Sequence, residues 1–268
     1  MWEKREQNGL TYFTLPRWEE AGAKVVMTTR FGGESKEPFC GLNLGLHVDD
    51  NCADVVANRR AMLNVLGEKE TNFVTIKQVH GKQILKAENA HRGLGFASYE
   101  SAVDDTDGIF TTEKHLMMAT FYADCLPVAV FHPEKKILGL AHAGWKGTYQ
   151  NIGKELILAM REYSDFDPAE CWCALGAGIG SCCYEVDEAF YQRFTERYEQ
   201  GEEWFCRENG TFRFDNVKAN RALLKEIGVK EENIDVLGIC TACHNDMFFS
   251  YRKEHGRTGR HGLWGELI

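Results

Sequence analysis

Three apolar runs, Leu116–Tyr122, Pro127–Phe131 and Ile137–Ala141, follow one another with no more than five residues between them. Runs this short have the length of strands, and their connections leave no room for a crossover helix. The chain must therefore build an antiparallel or mixed sheet instead of strict βαβ alternation. Lys24–Thr29 and Phe73–Ile76 are further β-rich stretches, and Cys171–Leu175 and Ile234–Ile239 read as later strands. Asp54 is placed to cap a helix that turns Val55, Met62, Leu63 and Leu66 inward and stops at Gly67. Helices are also expected over Gln150–Tyr163, over Glu185–Glu199 with Val186, Phe190 and Phe194 inward, and from a cap at Asp215 or Asn216 to Gly228. Strands outnumber clean crossover helices. The expected fold class is α+β, one domain over residues 1–268, with layered mixed or antiparallel sheets covered by helices.

Size and charge narrow the function. A chain of 268 residues with 44% hydrophobic content, five prolines and no linker or repeat suits one large core. A formal net charge of −9 disfavours nucleic acid and anionic membrane surfaces, although a small anion can still enter a local basic pocket. No stretch is long and apolar enough to span a bilayer, and Met1–Glu6 lacks the apolar segment of a signal peptide, so the expected location is cytoplasmic. The ten cysteines are then expected as thiols. Most suit small buried packing positions, with one or more serving as metal ligand or nucleophile.

Three apolar runs end in a residue able to ligate metal: Val79-His80-Gly81, Asp124-Cys125-Leu126 and Ala141-His142-Ala143-Gly144. Strand ends are rigid and carry the loops where sites assemble. Two imidazoles and a thiolate make a catalytic zinc set that leaves the fourth tetrahedral position open. The spacing also allows a hydrogen-bonded structural histidine and an inert packed cysteine, or a cysteine hydrolase with Cys125 as nucleophile and His80 or His142 as base.

Longer segments carry a resemblance. Gln78-Val79-His80-Gly81, Thr120–Pro127 (TFYADCLP) and His142–Thr148 (HAGWKGT) resemble the signature of the laccase-domain (YfiH-like) family. Asn43-Leu44-Gly45, Asn58-Arg59, Asp104–Gly108, Tyr184-Glu185-Val186 and the tail Phe248–Arg260 (FFSYRKEHGRTGR) match further parts in order along nearly the whole chain. The family was formerly labelled multicopper polyphenol oxidase. The resemblance implies instead a purine nucleoside phosphorylase that takes adenosine, inosine, guanosine or methylthioadenosine with phosphate, and deaminates adenosine in the same site. It also implies zinc on His80, Cys125 and His142. The oxidase label fits poorly, because none of the nine histidines forms the His-x-His pairs that a multicopper centre uses.

Each reaction asks for particular residues. Deamination at C6 needs an activated water and a carboxylate to move protons. Asp107, Asp124 and Glu185 are the candidates, with Glu185 preferred as the catalytic partner of His80, Cys125 and His142. Their structural alternatives are a turn former, an orienter of a metal ligand and a first-turn helix acid, respectively. Phosphorolysis needs cations on the phosphate. Lys146, between Gly144 and Gly147, and Arg59 are expected there, and with Asn43 and Gln78 of the matched segments they form the expected substrate-binding set. A non-catalytic module, in which zinc only ties strand ends together, is the rival function.

Two motifs are set aside. Gly176-Ala177-Gly178-Ile179-Gly180 has its third glycine one place early for a dinucleotide fingerprint, so a tight turn or anion nest is expected. Cys240-Thr241-Ala242-Cys243 lacks a second cysteine pair of metal-ligand spacing, so a structural role is expected.

Overall fold

In the computed structural model, which describes residues 1–208 and 210–268, the three apolar runs become the strands Met117–Tyr122, Leu126–His132 and Ile137–Ala143. They divide between two six-stranded sheets. One has the order Glu3–Gln7, Leu10–Thr14, Ala23–Thr28, His261–Leu267, Met117–Tyr122, Phe73–Thr75. The other has the order Ile234–Val236, Trp172–Leu175, Leu126–His132, Ile137–Ala143, Gly108–Thr111, Ile84–Ala87. Pairing is antiparallel except at edges, where Phe73–Thr75, Ile234–Val236 and Ile84–Ala87 each pair parallel with a neighbour.

The layering follows from which face each residue takes. Val25 and Met27 point with Met118 and Leu263 toward Ala129, Phe131, Leu138 and Leu140 of the other sheet. Val26, Met117, Ala119 and Trp264 point the opposite way, onto Met62 and Leu63 of the helix Cys52–Leu66. The second sheet buries Val128, Val130 and Ala141 under Leu156, Ile157 and Met160 of the helix Ile152–Tyr163. Strands buried on both faces carry apolar residues without alternation, which is why these runs read as continuous. The result is the expected α+β architecture, with helices outside two stacked mixed sheets.

Several boundaries differ from the sequence expectation. Asn51, whose side chain accepts from Ala53 N, caps the first long helix in place of Asp54. The stretch over Gln150–Tyr163 starts later, at Ile152, because Asn151 in the left-handed region at φ 56° separates the short helix Trp145–Tyr149 from the next and caps the latter. Glu185–Val186 pairs antiparallel with Arg213 and Phe212, so the expected helix there begins at Glu188 behind an Asp187 cap. Helix Asn216–Glu226 has its cap at Asp215. No helix among the described residues is long and apolar enough to cross a membrane.

Candidate active site

His142 is the penultimate residue of Ile137–Ala143, Cys125 immediately precedes Leu126–His132, and His80 lies in the loop after Phe73–Thr75. One buried carboxylate joins the two histidines. Asp107 accepts the backbone N–H groups of Val79 at 3.1 Å, His80 at 2.9 Å and Gly81 at 2.6 Å, and pairs with Nδ1 of His142 at 2.8 Å. The three N–H bonds hold the loop with His80 at φ 63°. The His142 bond leaves Nε2 to face the cavity, the arrangement by which a carboxylate orients a ligating imidazole. Asp107 therefore supports both histidines without lining the cavity.

The three donors converge. His80 Nε2 and Cys125 Sγ are 3.8 Å apart, the two imidazole rings meet edge to face at 4.7 Å, and the candidate ligand atoms all lie within 4.8 Å of one another. Burial alone would raise the Cys125 thiol, but the charge of His142 and hydrogen bonds from both histidines hold it at about 6. Burial would likewise lower His142, whereas the Cys125 thiolate and Asp107 lift it to about 9. The opposite shifts favour a thiolate beside a protonated imidazole, and three donor atoms of metal-ligand type already converge there. Space is reserved too. A Cβ on Gly144 would come within 2.9 Å of Cys125 Sγ and 3.0 Å of His80 Cδ2. Gly144→Ala should push these ligands apart at a cost of about 1–3 kcal/mol, and should weaken metal retention out of proportion to any fall in melting temperature. Retention equal to wild type in a chelator titration would show that the crowding is relieved elsewhere.

The triad opens into a cavity of about 460 Å³ walled by Phe121, Tyr99, Tyr184, Trp145 and Tyr251. Two arginines give it a cationic side. Arg59 is 1% exposed, and its guanidinium donates to the carbonyls of Leu44, Gly95 and Phe96 while lying 4.6 Å from the Phe121 ring. Burial pushes it down to about 9. Arg260 donates from Nη1 to the carbonyls of Thr258 and Gly259. Neither forms an ion pair with a carboxylate among the described residues, so both bring charge to the cavity that no direct acidic partner neutralises. His47 completes this side, its pKa pushed down to about 3 by burial and by the neighbouring Arg260, so the ring is neutral. Asp124 is the carboxylate of the lining, and both its oxygens are engaged, one by the Thr241 hydroxyl at 2.6 Å and one by the Arg252 backbone N–H at 2.6 Å.

The sequence-derived residues separate into three groups. His80, Cys125, His142, Gln78 and Arg59 line the cavity. The Gln78 amide, however, is spent on the Phe121 backbone, donating to its carbonyl at 2.9 Å and accepting its N–H at 2.7 Å. Asn43 is buried behind the wall, where its side-chain oxygen accepts the Arg260 backbone N–H at 2.8 Å, so it supports the cavity without lining it. Lys146 and Glu185 face away. Lys146 is exposed on the short helix with its ammonium near the Trp145 ring, because a helical turn after Gly144 carries it outward. Glu185 is exposed and pairs with Arg213, because the strand it occupies turns it from the cavity. Sequence reasoning missed Arg260, Arg252, His47 and the tyrosines; the arginine-rich tail Phe248–Arg260 was the signal for the first two.

Residues 24–264 match the family model described as multi-copper polyphenol oxidoreductase laccase. The chain is 38% identical over 242 residues to purine nucleoside phosphorylase YlmD of Geobacillus stearothermophilus, covering 90% of this chain and 88% of that one. It is 35% identical over 237 residues to the protein of the same name from Bacillus subtilis, covering 87% and 84%. The crystal structure of Bacillus licheniformis hypothetical protein YfiH superposes with a TM-score of 0.94 at 32% identity, covering 99% of both chains. That of YlmD from Geobacillus stearothermophilus gives 0.92 at 35% identity, covering 98% and 97%.

Proposed function

The chain belongs to the laccase-domain (YfiH-like) family, and on that premise we propose that it is a zinc-dependent purine nucleoside phosphorylase that also deaminates adenosine. The observation that carries this is the cavity itself, lined by three residues able to hold a metal, by aromatic side chains, and by the Arg59 and Arg260 guanidinium groups, which form no ion pair with a carboxylate among the described residues. Its volume lies in the range of small-molecule sites. Relatives that cover most of the chain bear the phosphorylase name. The cytoplasm, where these thiols stay reduced, is the proposed location.

Roles follow from chemistry. His80, Cys125 and His142 would hold the zinc, with separations slightly wider than the roughly 3.3–3.6 Å edges of a tetrahedral site at ordinary zinc–ligand distances. Zinc, when bound, supplies Lewis acidity for activating water toward C6 of adenosine. Two imidazoles and one thiolate are too few for the cluster that reduces oxygen, so the oxidase description is not adopted. Arg260 would bind phosphate and bring it to C1′ of the sugar as the purine leaves, with Arg59, most of whose N–H groups are held by carbonyls, adding positive charge beside it. A preorganised cation costs no reorganisation when charge develops there. Phe121 and Tyr184 offer flat surfaces to the purine. Proton transfer is not assigned to Glu185, nor phosphate binding to Lys146, because both are exposed and neither lines the cavity.

The test is a panel of adenosine, inosine, guanosine and methylthioadenosine incubated with and without phosphate. Free base should appear only with phosphate, and inosine should form from adenosine without it. Base release independent of phosphate would remove the phosphorylase, and adenine without any inosine would remove the deaminase.

One observation favours a second reading. Cys125 Sγ lies beside the His142 imidazole, and Asp107 backs that ring at 2.8 Å, which is the order of a cysteine hydrolase triad. Iodoacetamide separates the two. A nucleophile is alkylated and the enzyme dies quickly, while a thiolate held by metal is protected until a chelator is added.

A further inference from the structure

Four of the ten cysteines gather outside the cavity. Cys182 and Cys183 follow the glycine turn at Gly176–Gly180, and Cys240 and Cys243 lie beyond strand Ile234–Val236. The turn is registered against the later segment by a parallel bridge from Gly178 to Cys240 and by the Thr241 N–H donating to the Gly178 carbonyl at 3.1 Å. Cys243 Sγ is 3.4 Å from both Cys182 Sγ and Cys183 Sγ, and all four sulfurs lie within 4.8 Å of one another. The second cysteine pair that the sequence lacked at motif spacing is thus supplied from about sixty positions away.

Packing does not account for the cluster. Cys171 and Cys173 are buried in the core as small apolar residues, whereas Cys182 and Cys243 are exposed and Cys183 and Cys240 half-buried. We propose that Cys182, Cys183, Cys240 and Cys243 form a second metal site, a closed tetrathiolate zinc centre. A zinc–sulfur distance near 2.3 Å gives a tetrahedral edge of about 3.8 Å, which lies inside the observed spread. An iron–sulfur cluster would hold its thiolates farther apart. The surroundings suit charged sulfur. The Gly180 N–H donates to Cys240 Sγ at 3.2 Å, and Arg213 fixes the backbone of the first pair by donating to the Cys182 carbonyl at 3.1 Å. A Cβ on Gly180 would press on both Cys240 and Cys182 Sγ, so the turn leaves room for that approach.

The centre would brace the cavity wall. Ile179 and Tyr184, on either side of the first pair, line the cavity, and Thr241 within the second pair holds Asp124. The site is separate from the His80–Cys125–His142 triad, and its test does not depend on any activity.

The chain is purified reduced and without oxygen, loaded with Zn²⁺, desalted and assayed for zinc by mass spectrometry. Wild type should hold about two zinc ions, and Cys125→Ser and the Cys240→Ser, Cys243→Ser double variant about one each. Cobalt gives a second measurement should the double variant fail to fold. In Cys125→Ser loaded with Co²⁺, strong near-ultraviolet thiolate-to-cobalt absorption should persist, since the triad no longer has a thiolate. Absence of that absorption, or wild-type zinc saturating at one ion and lost with Cys125, would overturn the proposal. So would iron in the purified protein, or a disulfide within the cluster after oxygen-free preparation.

Discussion

Arg260→Ala should lower kcat/KM for phosphate by about ten- to hundred-fold, the loss of a charge-assisted contact worth roughly 1.5–3 kcal/mol. The expectation rests on a guanidinium that lines the cavity, is anchored by the carbonyls of Thr258 and Gly259, and has no carboxylate partner among the described residues. Formation of inosine from adenosine needs no phosphate and should fall far less. Arg260→Lys keeps the charge but loses the planar fork, so it should recover part of the loss. Lys146→Ala is the control, because Lys146 is exposed and does not line the cavity, and both reactions should continue unchanged. Equal loss of both reactions in Arg260→Ala would mean that the residue shapes the cavity instead of binding phosphate. Steady-state kinetics at varied phosphate, beside inosine formation on the same preparations, decides between these outcomes.

Asp107→Asn should act on the metal and so on both reactions together. The carboxylate accepts three backbone N–H groups and orients His142. An amide keeps one acceptor oxygen but turns an NH₂ group toward donors, so some of these bonds become donor against donor. Removing a carboxylate behind a ligating imidazole typically weakens metal binding by about ten- to hundred-fold. Competition against a zinc chelator should register that loss, and base release and inosine formation should fall in parallel, recovering as zinc is added. A variant with normal zinc affinity and no activity would show instead that Asp107 takes part in the chemistry. The turn it supports should also loosen, since leaving a buried N–H unpaired costs roughly 1–3 kcal/mol.

Much of this molecule was legible along the chain. The run Ile137–Ala141 is read directly because burial on both faces leaves it apolar without interruption, and the strand extends two residues further, through His142 to Ala143. The helix Cys52–Leu66 is read from its spacing and from Gly67, which takes the left-handed conformation at φ 76° that a helix end uses. Strand His261–Leu267 was not read, although it is central to its sheet. Its histidine, glycines and Glu266 resemble a loop until Lys24, 2.8 Å from Glu266, pairs the buried acid. Glu185 shows the converse failure. Beside a matched tyrosine it reads as a site acid, yet strand pairing with Arg213 turns it outward.

The sequence by itself determined the fold class, because apolar runs are written locally, and it offered His80, Cys125 and His142 as candidate ligands, a choice that rested on the matched motifs around them. Apolar run length sets the strand, and a histidine or cysteine at a strand end is a ligand type whatever surrounds it. Only the tertiary structure decided which charges meet in the cavity. Arg260 is far along the chain from His80, and its arginine-rich tail marks a basic segment without saying which cation enters a cavity; the fold puts Arg260 in the cavity lining and leaves Lys146 exposed. The same holds for the four cysteines, whose two pairs acquire chemical meaning only when Gly178 and Cys240 lie side by side. Local periodicity reports how deeply a residue is buried. Which distant residues share that burial depends on how the strands are ordered, and strand order is a property of the whole chain.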